Sequence, residues 1–423
     1  MASFSFSAGN AAKLARIPLY AIGRLATLVI PRSRDEWVFG CGAGIADGAL
    51  ALWNEAAEHG HPMVWLTRTA REDRDAAAHG IPTVRAYSPR GFWRTARARV
   101  AVVTHGFGDV NRYAIPGAFI VQLWHGIPLK RIGIDSPETV RIPEVLGRMP
   151  GGWMLKRLVA ILYRATTRRI GLIPAASHLV RGRLESAFSL PDGRVPVTGE
   201  PRVDVLSRGT PQRRRDDARA AIEAAVGPVG GARLVLYAPT WRDGADDPAV
   251  PSGGEWAGIL ELLQERDAVL LVRSHPLGSG DYAPPEPTDR VRAIGSDVIA
   301  DVTPVLPGMD VLVTDYSSLA FDAALVPLPV VYFAPDLTAY TAQRGLYGTY
   351  EDVAGCDWAT DWSGTIAQLG AVLSDPAASA ERIARSVSLS ERVHAFADGY
   401  NSARVHRAIL TRLASASGSE GTR

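Results

Sequence analysis

Cysteine is nearly absent. The 423 residues contain two, Cys41 and Cys356, and no CxxC, HExxH or comparable ligand spacing occurs. This excludes a disulfide scaffold and the common zinc modules, and it leaves both thiols as reduced packing residues. Lysine is equally scarce: Lys13, Lys130 and Lys156 are the only three among 46 basic residues, a bias of composition rather than of function. No apolar run reaches the ~20 residues that a membrane-spanning helix requires. The best candidate, residues 17–30, is broken by Pro18 and Arg24, and no small-residue cleavage site follows it in signal-peptide register. The lysine loop of P-loop ATPases and the Gly-x-Ser-x-Gly elbow are both missing. Gly40-Cys41-Gly42-Ala43-Gly44 lacks the full dinucleotide spacing, and Thr67-Arg68 stands where an acid would hold a ribose.

What is present is an ordinary globular composition, 47% hydrophobic and 21% charged with a net charge of +2, which excludes a disordered chain and gives no reason to expect nucleic acid. The length predicts two or three domains. The charge is unevenly spread. Residues 1–34 hold five cations and residues 145–184 hold eight, with no acid in either stretch, and removing these thirteen leaves 33 cations against 44 acids. Both stretches are also apolar, the second through Trp153, Met154, Leu158, Ile161, Leu162 and Tyr163. They read as basic amphipathic segments able to lie on an anionic membrane surface, or as ordinary helices with solvated basic faces.

Short apolar runs at 37–39, 63–66, 100–104, 119–123, 234–237, 269–273, 311–314 and 330–333 alternate with helical patterns, notably 46–59 and 211–226. This is the signature of an α/β chain with parallel sheets. The pattern weakens between Gly199 and Gly231 and then restarts. The expected organisation is a basic segment over 1–34, two α/β domains over 35–205 and 206–395, and a helix with a frayed tail over 396–423.

Ligands of open α/β sheets bind beyond the carboxyl ends of the strands. Four polar motifs stand there: Trp124-His125-Gly126-Ile127-Pro128-Leu129-Lys130, Tyr237-Ala238-Pro239-Thr240-Trp241-Arg242-Asp243, Arg273-Ser274-His275-Pro276 and Thr314-Asp315-Tyr316-Ser317-Ser318. Arg242, His275 and the Ser317/Ser318 pair, with Thr240, Thr314 and Asp315 beside them, suit a phosphate. The guanidinium offers a fork of donors, and the serines open a helix expected over 319–325. His125 sits in the other half of the chain, in a Gly/Pro turn, either as a general base for an alcohol or as a structural hydrogen-bonder. Thr104-His105-Gly106, with Asp109, Asn111 and Trp124, could shape an acceptor pocket or serve structure alone.

In this order the four motifs resemble the CDP-glycerol glycerophosphotransferase family of teichoic acid synthesis, as do Tyr332-Phe333-Ala334, Asp336-Leu337, Tyr340, Arg344-Gly345 and Tyr350-Glu351 downstream. The resemblance implies a GT-B architecture, two Rossmann-like doubly wound domains facing across a cleft. It implies a CDP-glycerol or other CDP-polyol donor, a lipid-linked saccharide acceptor, and a peripheral location on the cytoplasmic face of the membrane. By motif position His125 is the base, while His275, Arg242, Ser317 and Ser318 hold the donor pyrophosphate. Gly199-Glu200-Pro201-Arg202 and Asp47-Gly48 depart from the family pattern. No cofactor is implied. A divalent ion is left open, since no carboxylate cluster with ligand spacing flanks the site. Nothing identified reads the base, so a sugar-nucleotide glycosyltransferase on the same fold stands as the alternative.

Overall fold

Six short strands, β1 (Trp37–Phe39), β2 (Met63–Thr67), β3 (Thr83–Arg85), β4 (Val100–Val103), β5 (Phe119–Gln122) and β6 (Ile170–Leu172), build the first sheet of the computed structural model. Its order is β3-β2-β1-β4-β5-β6 and every pair is parallel. The structure describes residues 17–140, 151–242, 247–274 and 280–420. Strands β1 and β4 are buried along their whole length, which is why they are continuous apolar runs rather than alternating ones. Thr69, Ser88 and Ser177 cap the helices Ala70–Ala78, Pro89–Arg97 and His178–Phe188 by accepting a first-turn N–H, so each strand exit is followed by a defined helix start.

The second sheet joins β7 (Arg233–Ala238), β8 (Ala268–Val272), β9 (Val291–Ala293), β10 (Val311–Thr314) and β11 (Val330–Tyr332) in the order β11-β10-β7-β8-β9, again all parallel. In both sheets the order reverses beside the first strand, at β1/β4 and at β7/β10. Such a switch point is where an open sheet offers a ligand crevice.

Among the described residues, the first unit takes those up to His125, from Arg131 to Asp204 and from Tyr400 onward; the second takes Gly126–Lys130 and Val205–Gly399. The last helix, Asn401–Glu420, belongs with the first unit instead of forming a separate end region. Val405 and Ile409 enter the core that holds Trp37, Phe39, Trp53 and Trp65. The Asp204 carboxylate accepts the N–H groups of Asn401 and Ser402, each at 2.8 Å, and so caps that helix from the far side of the intervening sequence. Residues 126–130 leave the first unit to pair with the second, where Leu129 O accepts Tyr347 N–H at 2.9 Å.

All eight apolar runs form strands, and β3, β6 and β9 appear in addition. Each of the three has three residues and lies at a sheet edge, where a single paired side does not require an unbroken apolar run.

No helix among the described residues is long and apolar enough to cross a membrane. Two helices of the first unit, Ile17–Val29 and Gly152–Thr167, nonetheless expose large apolar side chains. Leu25, Leu28 and Val29 do so on the first, and Trp153, Met154, Leu158, Ile161 and Leu162 on the second. Lys156, Arg157 and Arg164 are exposed beside the latter group. Arg32 departs from the expected basic face. Its guanidinium is turned inward onto the carbonyls of Ala98, Ile115 and Pro116, stapling the start of the unit. Lys13, Arg16 and Arg148 lie outside the described residues.

Candidate active site

In the first unit, three loops meet at the carboxyl ends of β1, β4 and β5. Strand β4 delivers Thr104 and His105, and β5 delivers Trp124 and His125. The two imidazoles stack with centroids 4.4 Å apart and 6° between their planes. Trp124 holds a positive φ of 63°, uncommon for a bulky residue. It is secured by ring contacts to His125 at 4.3 Å and Phe188 at 5.2 Å. Opposite, Gly42 leaves room for the imidazole: a Cβ there would lie 2.3 Å from His105 Cγ.

The loop that carries His105 is organised by Asp109. Its Oδ2 accepts the backbone N–H groups of Thr104, His105 and Gly106 at 3.0, 2.8 and 3.2 Å. Asn111 donates to Ala86 O and accepts from Tyr113 N–H. The polar atoms expected to line an acceptor pocket are thus turned inward, and Asp109 and Asn111 are positioning residues. Burial lowers both histidine pKa values. His105 falls to about 4, with Arg68 and Arg202 adding to the shift. His125 falls well below its ordinary 6.5, where His105 and Arg202 add and a backbone bond at Thr104 opposes. Both rings are neutral at neutral pH. Among the described residues His125 Nδ1 is buried without a hydrogen-bond partner.

The two departures from the family pattern meet here. Arg202 Nε donates to Asp47 Oδ1 at 3.0 Å, and Asp47 takes a positive φ of 61°. Arg68, where a dinucleotide site would place an acid, reaches Cys41 O and Gly42 O at 2.8 and 2.9 Å. Sequence reasoning noted all three positions and assigned them no role; their convergence is set by the sheet order.

In the second unit, β7 and β10 flank the switch point and deliver Thr240, Arg242 and Asp315. Arg242 is buried, and four hydrogen bonds engage its fork. Nε and Nη2 donate to the two oxygens of Asp336 at 2.8 and 2.9 Å, and Nη1 donates to Asp315 Oδ2 at 3.0 Å and to Thr240 O. The rings of Tyr316 and Tyr340 lie 5.1 and 4.9 Å from its carbon. Burial works against its charge, but the two carboxylates outweigh it and the pKa is raised. Arg242, expected as a direct phosphate ligand, thus has its donors directed to Asp336, Asp315 and Thr240 O, and so ties the β7 and β10 loops together. Thr314 Oγ1 is likewise committed, donating to Ala238 O at 2.7 Å. Asp315 also accepts Thr240 N–H and Tyr316 N–H, at 2.9 and 2.6 Å.

Ser317 Oγ accepts Leu319 N–H at 3.2 Å. Ser318 starts the helix Leu319–Ala324 without a side-chain cap, and that helix has only six residues. Thr240 Oγ1 is buried with no partner among the described residues. His275 lies outside the described residues. Lys130, to which the sequence assigned no role, joins this group: its ammonium stands 6.0 Å from the Tyr340 ring centroid. Burial lowers its pKa to about 8; Asp315 opposes the shift, and Arg344 and Arg242 add to it. Asp336 and Tyr340 were legible as motif residues, but their convergence on Arg242 was not.

Comparison with known proteins gives this geometry a context. Residues 30–411 match the family model described as CDP-Glycerol:Poly(glycerophosphate) glycerophosphotransferase. The teichoic acid glycerol-phosphate transferase of Staphylococcus aureus (strain NCTC 8325 / PS 47) is 26% identical over 320 residues, covering 73% of this chain and 76% of that protein. The teichoic acid poly(glycerol phosphate) polymerase of Staphylococcus epidermidis is 32% identical over 56% of this chain and 31% of its own length. The teichoic acid glycerol-phosphate primase of Bacillus subtilis (strain 168) is 25% identical, with 54% of each chain covered. This chain therefore spans three quarters of the first relative and smaller fractions of the other two. The solved structure of the wall teichoic acid polymerase TagF superposes with a TM-score of 0.72 at 22% identity, covering 96% of both chains, which assigns the fold to the GT-B class. With nine-tenths of its length inside the family model, the chain belongs to the CDP-glycerol:poly(glycerophosphate) glycerophosphotransferases and is an enzyme of that family.

Proposed function

We propose that this enzyme transfers glycerol phosphate from CDP-glycerol to a hydroxyl of a lipid-linked acceptor at the cytoplasmic face of a membrane, releasing CMP, in the synthesis of a teichoic-acid-type polymer. The first unit serves the acceptor and the second the donor. His125 takes the proton of the acceptor hydroxyl as its oxygen attacks the β-phosphorus of CDP-glycerol. The bond from that phosphorus to the bridging oxygen breaks, and CMP leaves with the electron pair. A phosphate leaving group needs no acid; it needs charge stabilisation. Lys130, still cationic at neutral pH, is suited to supply it, with the Ser317 and Ser318 hydroxyls and His275. Arg242 holds the β7 and β10 loops in place.

The observation that carries this reading is the stacked, neutral pair His105/His125 at the ends of β4 and β5, in a chain of a CDP-glycerol-using family. A neutral imidazole is the form a general base requires. The exposed apolar side chains of Ile17–Val29 and Gly152–Thr167, with Lys156, Arg157 and Arg164 beside the latter, support contact with an anionic lipid surface. Incubation of the full chain with radiolabelled CDP-glycerol and a lipid-linked acceptor analogue should release CMP in step with label transfer. His125→Ala should abolish turnover while CDP-glycerol binding stays near the parent value. Folded protein that turns over neither CDP-glycerol nor CDP-ribitol rejects the assignment.

A further inference from the structure

On the opposite side of the first-unit core from the stacked histidines, a second group of imidazoles is assembled from distant parts of the chain. Glu55 and His59 lie four residues apart, within and just past the helix Asp47–Glu58, so they share one face. His61 follows in the turn that leads to β2, and His406 comes from the last helix. Glu55 Oε1 lies 3.4 Å from His59 Nε2. One ligand atom from each of Glu55, His59 and His406 fits within a 4.8 Å span, and His61 Nε2 approaches His406 Nε2 to 2.8 Å. His59 stacks on His406 at 4.3 Å, and Trp37 packs 4.8 Å from His61 and 5.7 Å from His406. His406 is 3% exposed whereas His59 is open to solvent, so the group has a buried base and an entry path.

The two Nε2 atoms share one hydrogen bond, donated by whichever ring carries the proton, so His61 orients His406. We infer that Glu55, His59 and His406 form a zinc-class metal site, with His61 orienting His406, that ties the last helix to the helix Asp47–Glu58. The donor set, imidazole nitrogens with one carboxylate, suits Zn²⁺ and its neighbours Co²⁺ and Ni²⁺. With bonds of about 2.0–2.1 Å, the edges of a tetrahedral site are about 3.3 Å. The Glu55–His59 edge is already at that length, and binding requires the exposed His59 ring to turn off its stack on His406 so that both rings address one ion. The role is structural: the chain re-enters the first unit at Tyr400 after 195 residues of the second, Val205–Gly399, and a metal clip would fix that return. The site is remote in sequence and role from His105 and His125, and its existence does not rest on the reaction proposed above.

The test uses the full chain after EDTA treatment and desalting. Titration with Zn²⁺ alone should show one saturable site and a rise in melting temperature, and Co²⁺ should give visible bands of tetrahedral intensity. His59→Gln and Glu55→Gln, both near the surface and expected to fold, should each weaken Zn²⁺ binding at least about tenfold and reduce the melting shift. His406→Ala should abolish the site; because it also removes core packing, the two milder variants carry the decision. Glycerol phosphate transfer by His59→Gln should equal that of the parent. Absence of saturable binding by the parent, or affinity unchanged in both milder variants, overturns the inference and leaves a hydrogen-bonded packing cluster.

Discussion

Asp109 shows how one buried carboxylate can set the geometry of a site without touching substrate. Three successive backbone N–H groups point at one oxygen, so Asp109→Ala would leave all three without that acceptor in a buried loop. Bonds to a charged acceptor contribute about 1.5–3 kcal/mol each when removed singly. The variant should lower stability by at least about 2 kcal/mol in urea denaturation and reduce kcat by displacing His105. Parental stability would show the carboxylate to be dispensable. Arg242 is a second instance. Asp336→Asn keeps the shape of the Asp336 side chain but loses half the charge balance around the guanidinium, and it should cost about 1.5–3 kcal/mol with a raised KM for CDP-glycerol. An unchanged KM would separate this ion pair from donor binding.

The histidines predict a pH dependence. In the folded chain His105 has a pKa of about 4 and His125 lies well below 6.5. As pH falls from about 6.5, the unfolded chain takes up protons that the folded chain refuses. Stability is complete above that pH and is lost towards pH 4, by up to about 1.4 kcal/mol per pH unit for each histidine. Urea midpoints measured at pH 7, 6 and 5.5 should fall, and His105→Gln should flatten the slope. Equal slopes in parent and variant would count against the burial of this ring as the cause.

At the scale of elements, the strands whose apolar runs are continuous were readable because a strand buried on both faces must be apolar throughout. The edge strands β3, β6 and β9 were not, since half of each strand's surroundings is solvent or loop and its composition is free to vary. The final helix is the sharper case. Its residues show ordinary amphipathic spacing, which says that it packs but not on what. Val405 and Ile409 are fully buried in the first-unit core. Ile409→Ala should therefore destabilise that core by about 2–5 kcal/mol. Limited proteolysis followed by mass spectrometry should then show earlier cleavage within 37–125 as well as near the C-terminus. Cleavage confined to the C-terminus would mean that the helix is an appendage.

For the whole molecule, the uneven charge acquires a physical form. The chain without its two acid-free stretches is acidic, and those stretches supply helices that expose Trp153, Met154, Leu158 and Leu25. Replacing Leu158 and Ile161 together by Glu should leave the melting temperature nearly unchanged, because both are about half exposed. It should also abolish co-sedimentation with vesicles containing anionic phospholipid at 100 mM salt. Retained binding would place the lipid contact elsewhere.

The sequence by itself determined the fold class and the motif-bearing loops, because burial dictates composition strand by strand and motifs are contiguous in the chain. It also marked Arg242 in one motif and Asp336 and Tyr340 in the downstream signature without showing that they touch. Only the tertiary structure decided which polar atoms remain available. Arg242, Thr314, Asp109 and Asn111 proved to be committed to backbone or carboxylate partners, and Asp47 met Arg202 across 155 positions. The reason is that a side chain's chemistry depends on whether its hydrogen bonds are already satisfied, and the satisfying groups come from elements whose adjacency is set by sheet order rather than by sequence distance.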